Sequence, residues 1–217
     1  MIKIGKNLSE WSAYSCQPKT KDELREIIKR RISEQGNNCD LNDIDTSLIT
    51  DMSYLFHGSE FNGNISNWNT SNVEYMSCLF NCSDFTGNIS GWDVSNVKEM
   101  WCMFYKSPFN GDISRWNVSN VEDMSYMFDK AKFNGDISDW DVSNVTNMVW
   151  MFANSDFNQQ IGEWNVNKVE DMYWMFYNSN FDQDISNWKI NKDCNTTEMF
   201  NFCHIKEEFK PKSLRKC

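Results

Sequence analysis

The sequence repeats every 24 residues, and this period limits the possible folds more than any other feature. Methionine recurs at that spacing from Met52 to Met172, and phenylalanine, isoleucine and tryptophan recur at fixed places between the methionines. The tryptophan column is Trp68, Trp92, Trp116, Trp140, Trp164 and Trp188. A unit of this length buries its apolar side chains only against its neighbours, so the sequence predicts a repeat solenoid with a continuous core.

Within each unit, the apolar spacing predicts two kinds of local structure. Counting the methionine as position 0, apolar residues fall at 0, +3, +4, +9, +13, +16, +18 and +21. The spacing 0, +3, +4 predicts one helical or 3₁₀ turn, whereas I-x-x-W-x-V from +13 to +18 predicts a short strand with position +17 facing outward. We therefore expect a solenoid like that of leucine-rich repeats, with short parallel strands and short helical or 3₁₀ segments.

Polar columns mark the bends between these segments. Position +12 is asparagine or aspartate in nearly every unit, and asparagine follows serine at +20 in Asn72, Asn96, Asn120 and Asn144. Such side chains bond backbone groups that a tight bend leaves without a partner. We expect the asparagine column to bond its own turn and the neighbouring units, which is a structural role.

Both ends of the array carry predicted caps on one domain. Residues 1–38 are expected to form an N-terminal cap with an amphipathic helix, which a capping box at Thr20 and Glu23 begins and Gly36 ends. Residues 39–200 form the solenoid of six full repeats with partial ends. Residues 201–217 are a closing cap and basic tail.

The repeat resembles a known family. The units FNGDISDWDVSNVTNMVWMF and FNGNISNWNTSNVEYMSCLF are similar to the BspA-like leucine-rich repeat family, also called DUF285 or the bacterial surface lipoprotein repeat. The resemblance implies a right-handed solenoid and a surface protein that binds partners, with no catalytic residues to carry over. No signal peptide or lipobox cysteine precedes the repeats, so the residues predict a cytoplasmic protein while the resemblance implies the cell surface.

Charge and hydropathy exclude several partners. The net charge is −10, and because the two ends each carry +3, residues 37–200 hold −16. This repels nucleic acid and anionic membranes. No run of about 18 apolar residues is present, so no membrane insertion is expected. The eight cysteines are expected to be free thiols.

The sequence offers little for catalysis. The two histidines, His57 and His204, occupy opposite ends of the array, and no phosphate-binding or hydrolase motif occurs. We expect no enzyme activity and no cofactor. Cys78, Cys82 and Cys102 share neighbouring positions in adjacent units, where they form a soft-metal site or pack as small core residues. The second reading is favoured, because no fourth ligand matches.

Two surfaces are candidates for ligand binding. The first is an aromatic ribbon at positions +1 and +2, made of Trp101, Tyr126, Trp150, Tyr173 and Trp174. Its alternative role is to stack between units and seal the core. The second is the outward strand position +17, with Asn69, Asp93, Asn117 and Asp141. We expect a monomeric, non-catalytic scaffold that binds a protein or a glycan; the alternative is an acidic decoy that mimics nucleic acid and binds a nucleic-acid-binding protein.

Overall fold

The computed structural model describes residues 15–215. Within this range there is one α-helix, α1 (Lys21–Gln35), and two 3₁₀ helices lie near the C-terminus, Glu207–Phe209 and Lys212–Leu214. Backbone segments in this range pair only through isolated parallel bridges, six of which form a series from Asp51 to Asn195 that joins residues 24 positions apart. No helix of the described range is long and apolar enough to cross a membrane.

The prediction that each unit contains a short strand and a short helical segment is wrong for the described residues. Both segments are successions of turns, in which an N–H bonds the carbonyl three residues earlier. Leu79, for example, bonds Met76 (3.2 Å), and Trp68 bonds Ile65 (3.2 Å). A succession of such turns spaces inward side chains by three, as a helical turn does, and its bends leave one residue at a time free to pair with the next unit.

Successive units are joined by backbone hydrogen bonds. The N–H groups at positions 0, +2, +4 and +6 donate to carbonyls 23 residues later along the chain. Between the second and third units, the bonds are Met76 to Glu99, Cys78 to Trp101, Phe80 to Met103 and Cys82 to Tyr105, at 3.0, 2.9, 2.9 and 2.8 Å. The series continues to Asn178, which bonds Asn201 at 2.9 Å. Each unit therefore completes the backbone hydrogen bonding of its neighbour.

The core consists of aromatic columns that run through all the units. Phe80 stacks between Phe56 and Phe104, with ring centroids 5.6 and 5.7 Å apart. The tryptophans at +16 are also buried, and Trp68 stacks on Trp92 at 6.3 Å. The inward orientation predicted for positions 0, +3, +4, +9, +13 and +16 is confirmed in the six full units, since every side chain in these columns is buried.

Each core tryptophan also bonds the preceding unit. Its indole Nε1–H donates to the carbonyl of the residue 27 positions earlier, at 2.9 to 3.2 Å. The pairs are Trp68 to Leu41, Trp92 to Ile65, Trp116 to Ile89, Trp140 to Ile113, Trp164 to Ile137 and Trp188 to Ile161. A buried carbonyl without a partner is costly, so tryptophan both fills the core and stabilises the adjacent turn.

The asparagine column at +20 has the structural role predicted for it. Each Nδ2 donates to the carbonyl of a serine 25 residues earlier, so the bonds also cross between units. The pairs are Asn72 to Ser47, Asn96 to Ser71, Asn120 to Ser95 and Asn144 to Ser119, at 2.8, 2.7, 2.6 and 2.7 Å.

The predicted capping helix is present and packs on the first unit. The Thr20 Oγ1 accepts the N–H of Glu23 (3.2 Å), and Gly36 ends the helix at φ 86 with its N–H on the Ile32 carbonyl. Leu24 and Ile28 are buried, while Lys21 pairs with Asp51 of the first unit. Residues 1–14 and 216–217, which the predicted caps include, lie outside the described residues. The three domain boundaries and the right-handed winding stay predictions.

The indole bond predicts distinct costs for two substitutions of Trp116. Trp116→Phe keeps a ring but leaves the Ile89 carbonyl without its donor, which should lower the free energy of unfolding by about 1–3 kcal/mol. Trp116→Ala also removes the buried ring and should cost about 3–5 kcal/mol. Urea unfolding measures both. The exposed Arg115→Ala of the same unit is the control, and equal midpoints for this control and Trp116→Phe would contradict the role of the bond.

Candidate functional site

The aromatic side chains outside the core lie mainly at positions +1, +2 and +5. Every residue at +2 has a positive φ: Tyr54, Cys78, Cys102, Tyr126, Trp150, Trp174 and Glu198, between 53 and 64. This is the conformation that the third residue of a type II turn requires. Because the turn aims these side chains away from the core, Tyr126, Trp150 and Trp174 are half-buried rather than buried.

Large aromatic residues are unfavourable choices for this backbone. Position +6 has the same positive φ. Three of its seven residues tolerate this conformation, Gly58, Asn154 and Asn178, and the other four are Cys82, Lys106, Lys130 and Phe202. Position +2 contains neither glycine nor asparagine in any unit. A bulky residue held at positive φ costs about 1–3 kcal/mol, and such strain concentrates at functional sites. The backbone geometry of the turn therefore does not explain why aromatic residues occupy position +2.

The C-terminal units bring these rings into one continuous surface, which we call the aromatic strip. It comprises Tyr126, Trp150, Tyr173, Trp174, Tyr177 and Phe202. Ring centroids are 5.8 Å apart for Tyr126–Trp150, 4.5 Å for Trp150–Trp174, 5.0 Å for Tyr173–Trp174, 4.3 Å for Trp174–Tyr177 and 5.6 Å for Tyr177–Phe202. Both interpretations of the ribbon, ligand binding and sealing of the core, thus have structural support, because the rings stack between units and remain partly exposed to solvent.

Sequence reasoning missed Tyr177 and Phe202. They lie at +5 and +6, next to the columns that were considered. The signal available in the sequence was Phe202, the one aromatic residue in a column that otherwise contains Gly58, Cys82, Lys106, Lys130, Asn154 and Asn178. In the structure Phe202 is 68% exposed, so it satisfies no requirement of the core.

Trp101 belongs to a separate cluster. Its ring meets Tyr54 edge to face at 5.9 Å, although Tyr54 lies two units away. The intervening residue at +2 is Cys78, which is only 2% exposed. Among the described residues, no ring contact joins Trp101 to Tyr126, so the predicted ribbon is divided where the small cysteines occur.

The cysteines of this column are poorly suited to metal or redox chemistry. Burial and the neighbouring Cys78 thiol raise the pKa of Cys102 to about 12, so its thiol is protonated at neutral pH. Within residues 15–215, no three histidine, cysteine or acidic side chains are placed to hold a metal ion. The seven cysteines of this range are free.

The outward polar column at +17 has a structural use. Asn69, Asp93, Asn117 and Asp141 are exposed, as predicted, and their side-chain oxygens accept the N–H two residues later at 3.1, 3.0, 3.2 and 3.0 Å. These bonds lower the pKa of Asp93 and Asp141. The same oxygens close Asx turns, so this column has a role in the fold as well as a place on the surface.

One acidic side chain next to the strip is buried. Asp129 is 2% exposed and accepts a hydrogen bond from Asn154 Nδ2 (2.9 Å). Burial raises the pKa of Asp129, and the bond from Asn154 and the charges of Lys130 and Lys106 only partly oppose this. Because the folded pKa exceeds the unfolded one, the contribution of Asp129 to stability is present at low pH and is lost as the pH rises through the folded pKa.

Asp129→Asn should therefore stabilise the chain at neutral pH. The amide oxygen can still accept from Asn154, and no charge has to be buried. The gain in unfolding free energy over the natural chain should grow as the pH rises above the unfolded pKa of about 4. Urea unfolding at several pH values tests this, with Asp139→Asn as the exposed control. A neutral-pH loss of stability in Asp129→Asn would contradict the expected direction.

Comparison with known proteins identifies the family. A family model described as "Mycoplasma protein of unknown function, DUF285" matches residues 24–132 and, in a second overlapping match, residues 107–211. No curated protein and no solved structure matches the chain. The matches include α1 almost entirely, all six units and the closing segment that follows them (residues 196–211), so the resemblance of the units to DUF285 is confirmed. The chain belongs to the DUF285 family.

Proposed function

We propose that the chain is a non-catalytic binding scaffold, a solenoid that recognises a protein partner through the aromatic strip. The stacked rings, the bridges between residues 24 positions apart and the hydrogen bonds between neighbouring units support a solenoid. Such arrays present long regular surfaces for partners. The observation that carries the binding role is the placement of Tyr126, Trp150 and Trp174 at a positive-φ position.

The charges beside the C-terminal part of the strip favour a partner with basic groups. Glu198 is exposed, and Asp171, whose carboxylate accepts the N–H of Tyr173 (2.8 Å), is half-buried. The Glu198 carboxylate accepts the indole N–H of Trp174 (2.6 Å), which fixes the ring next to a negative charge. Aromatic rings bordered by carboxylates suit a surface of apolar side chains interspersed with lysine or arginine. We propose such a surface as the partner.

A binding role without catalysis is consistent with the placement of the reactive residues. His57 lies in the first unit and His204 in the closing segment, so six units separate the two imidazoles. The raised pKa of Cys102 disfavours a nucleophilic thiolate at neutral pH. These observations support the proposal.

The double change Trp150→Asn and Trp174→Asn tests the function. Asparagine tolerates positive φ, so relief of strain should offset the lost stacking of about 0.5–1.5 kcal/mol per pair, and the urea midpoint should change little. Loss of two anchor residues should weaken partner binding at least about thirty-fold. The measurement is the affinity for a partner captured with the natural chain from its native host.

Cys82→Asn is the matched control, since Cys82 is exposed, has φ 54 and lies outside the strip. Unchanged affinity in the double variant would remove the strip from the binding surface. A large fall in the urea unfolding midpoint of the double variant would indicate that the two rings have a purely structural role.

A further inference from the structure

The last turn of the array has four backbone donors without a partner in the described part of the chain. In the sixth unit, the N–H groups of Met172, Trp174, Phe176 and Asn178 bond carbonyls of the closing segment. The N–H groups at the same positions of that segment belong to Thr196, Glu198, Phe200 and Phe202. None of these four has an acceptor among residues 15–215. They form an edge, which we call the donor row.

The donor row has a single hydrogen-bonding polarity. The carbonyls of Thr196, Glu198 and Phe200 accept turn bonds from within the segment. The alternate carbonyls, those of Asn195, Thr197, Met199 and Asn201, accept bonds from the sixth unit. A partner must therefore present carbonyls or other acceptors, and two donor rows related by a two-fold axis would oppose donor to donor.

A pocket lined by both polar and apolar side chains adjoins the donor row. It has a volume of about 610 Å³, and its lining includes Met199, Phe200, Phe202, Lys210 and Leu214. Phe176 stacks on Phe200 at 5.7 Å. Phe200 is nevertheless half-buried, whereas the phenylalanines at its position in the six units are at most 1% exposed. In the six units, the methionine and phenylalanine of the next unit pack at this position. Here the Lys210 ammonium lies 5.7 Å from the Phe200 ring centroid, so an incoming ring would have to displace this one side chain.

The complementary acceptors of this chain are at the opposite end, where a helix packs. The carbonyls in the matching register belong to Asp51, Ser53, Leu55 and His57, and none accepts a hydrogen bond from residues 15–215. Helix α1 covers this end, with Leu24 and Ile28 buried and Lys21 paired with Asp51. Head-to-tail stacking of a second copy would have to displace α1. The fitting occupant is therefore a segment of another protein.

We propose that the C-terminal end of the array binds a peptide segment of a partner protein that adopts the conformation of one repeat unit. Its alternate carbonyls accept from the donor row, and an apolar pair of the methionine–phenylalanine kind fills the pocket. This is edge addition, in which backbone bonds supply affinity and the pocket supplies specificity. The inference depends on backbone donors rather than on the aromatic strip, and so goes beyond the proposed function.

The chain itself contains a template for such a segment. In the fourth unit, the carbonyls of Asp123, Ser125, Met127 and Asp129 accept from the third unit at 3.0, 2.8, 3.0 and 3.0 Å. Met127 and Phe128 of that segment are fully buried against the neighbouring columns. A synthetic peptide of residues 122–131, EDMSYMFDKA, is therefore a suitable probe, and a scrambled peptide of the same composition is its control.

The test is residue-resolved amide hydrogen exchange of the full chain. Without peptide, the amides of Thr196, Glu198, Phe200 and Phe202 should exchange fast, while those of Met172 to Asn178 that bond the closing segment are protected. Free peptide at about nine times its dissociation constant should slow exchange at the donor row about ten-fold. The scrambled peptide should leave exchange unchanged. The Trp150→Asn variant should bind the probe as tightly as the natural chain does. A negative result with the peptide can therefore be distinguished from a negative result in the binding test of the aromatic strip.

Three results would overturn the proposal. Protection of the donor row in the chain alone, independent of concentration, would mean that the chain itself occupies the edge. Protection that increases with protein concentration without peptide would identify a second copy as the occupant. Absence of protection with the probe at millimolar concentration would show that the edge accepts no segment of this kind.

Discussion

No unit of this chain can satisfy its own backbone, and the rest of the structure depends on that constraint. Alternate N–H groups at the start of each unit bond the following unit, as Cys78 bonds Trp101. The indole of each core tryptophan bonds the preceding unit, as Trp116 bonds Ile89. Every unit is thus held from both sides, and the fixed spacing of 24 residues follows, because an added residue would misalign both sets of bonds.

The same constraint explains why the core is aromatic. Bends at each turn prevent a unit from forming a strand, so pairing between units is discontinuous and contributes less than a sheet would. Parallel ring stacks through the whole array, such as that of Phe80 on Phe104, supply large buried area at a spacing near 6 Å. The side-chain ladder of Asn96 and its equivalents closes the remaining turn.

Much of this architecture is visible in the sequence, and the missing part has a physical reason. Column identity gives the inward positions, the asparagine ladder and the capping helix correctly, because each column repeats one local environment. It does not distinguish a helical turn from a β-turn, since both space inward side chains by three. Positive φ at +2 is hidden as well, because tyrosine, cysteine and tryptophan are not residues that indicate it. The site was therefore only partly predictable: Trp150 and Trp174 stood out in their column, whereas Tyr177 and Phe202 joined them through contacts between units.

The polarity of the array makes its two ends chemically different. One end presents carbonyls beneath α1, and the other presents N–H groups beside an open pocket. Phe202 belongs both to the donor row and to the aromatic strip, through its contact with Tyr177. Since each unit interacts chiefly with its neighbours, a ligand at the open end perturbs the strip only where the two surfaces meet. Coupling between the two sites therefore has to pass through Phe202 and Glu198, and Tyr126, at the far end of the strip, is insulated from it by two intervening units.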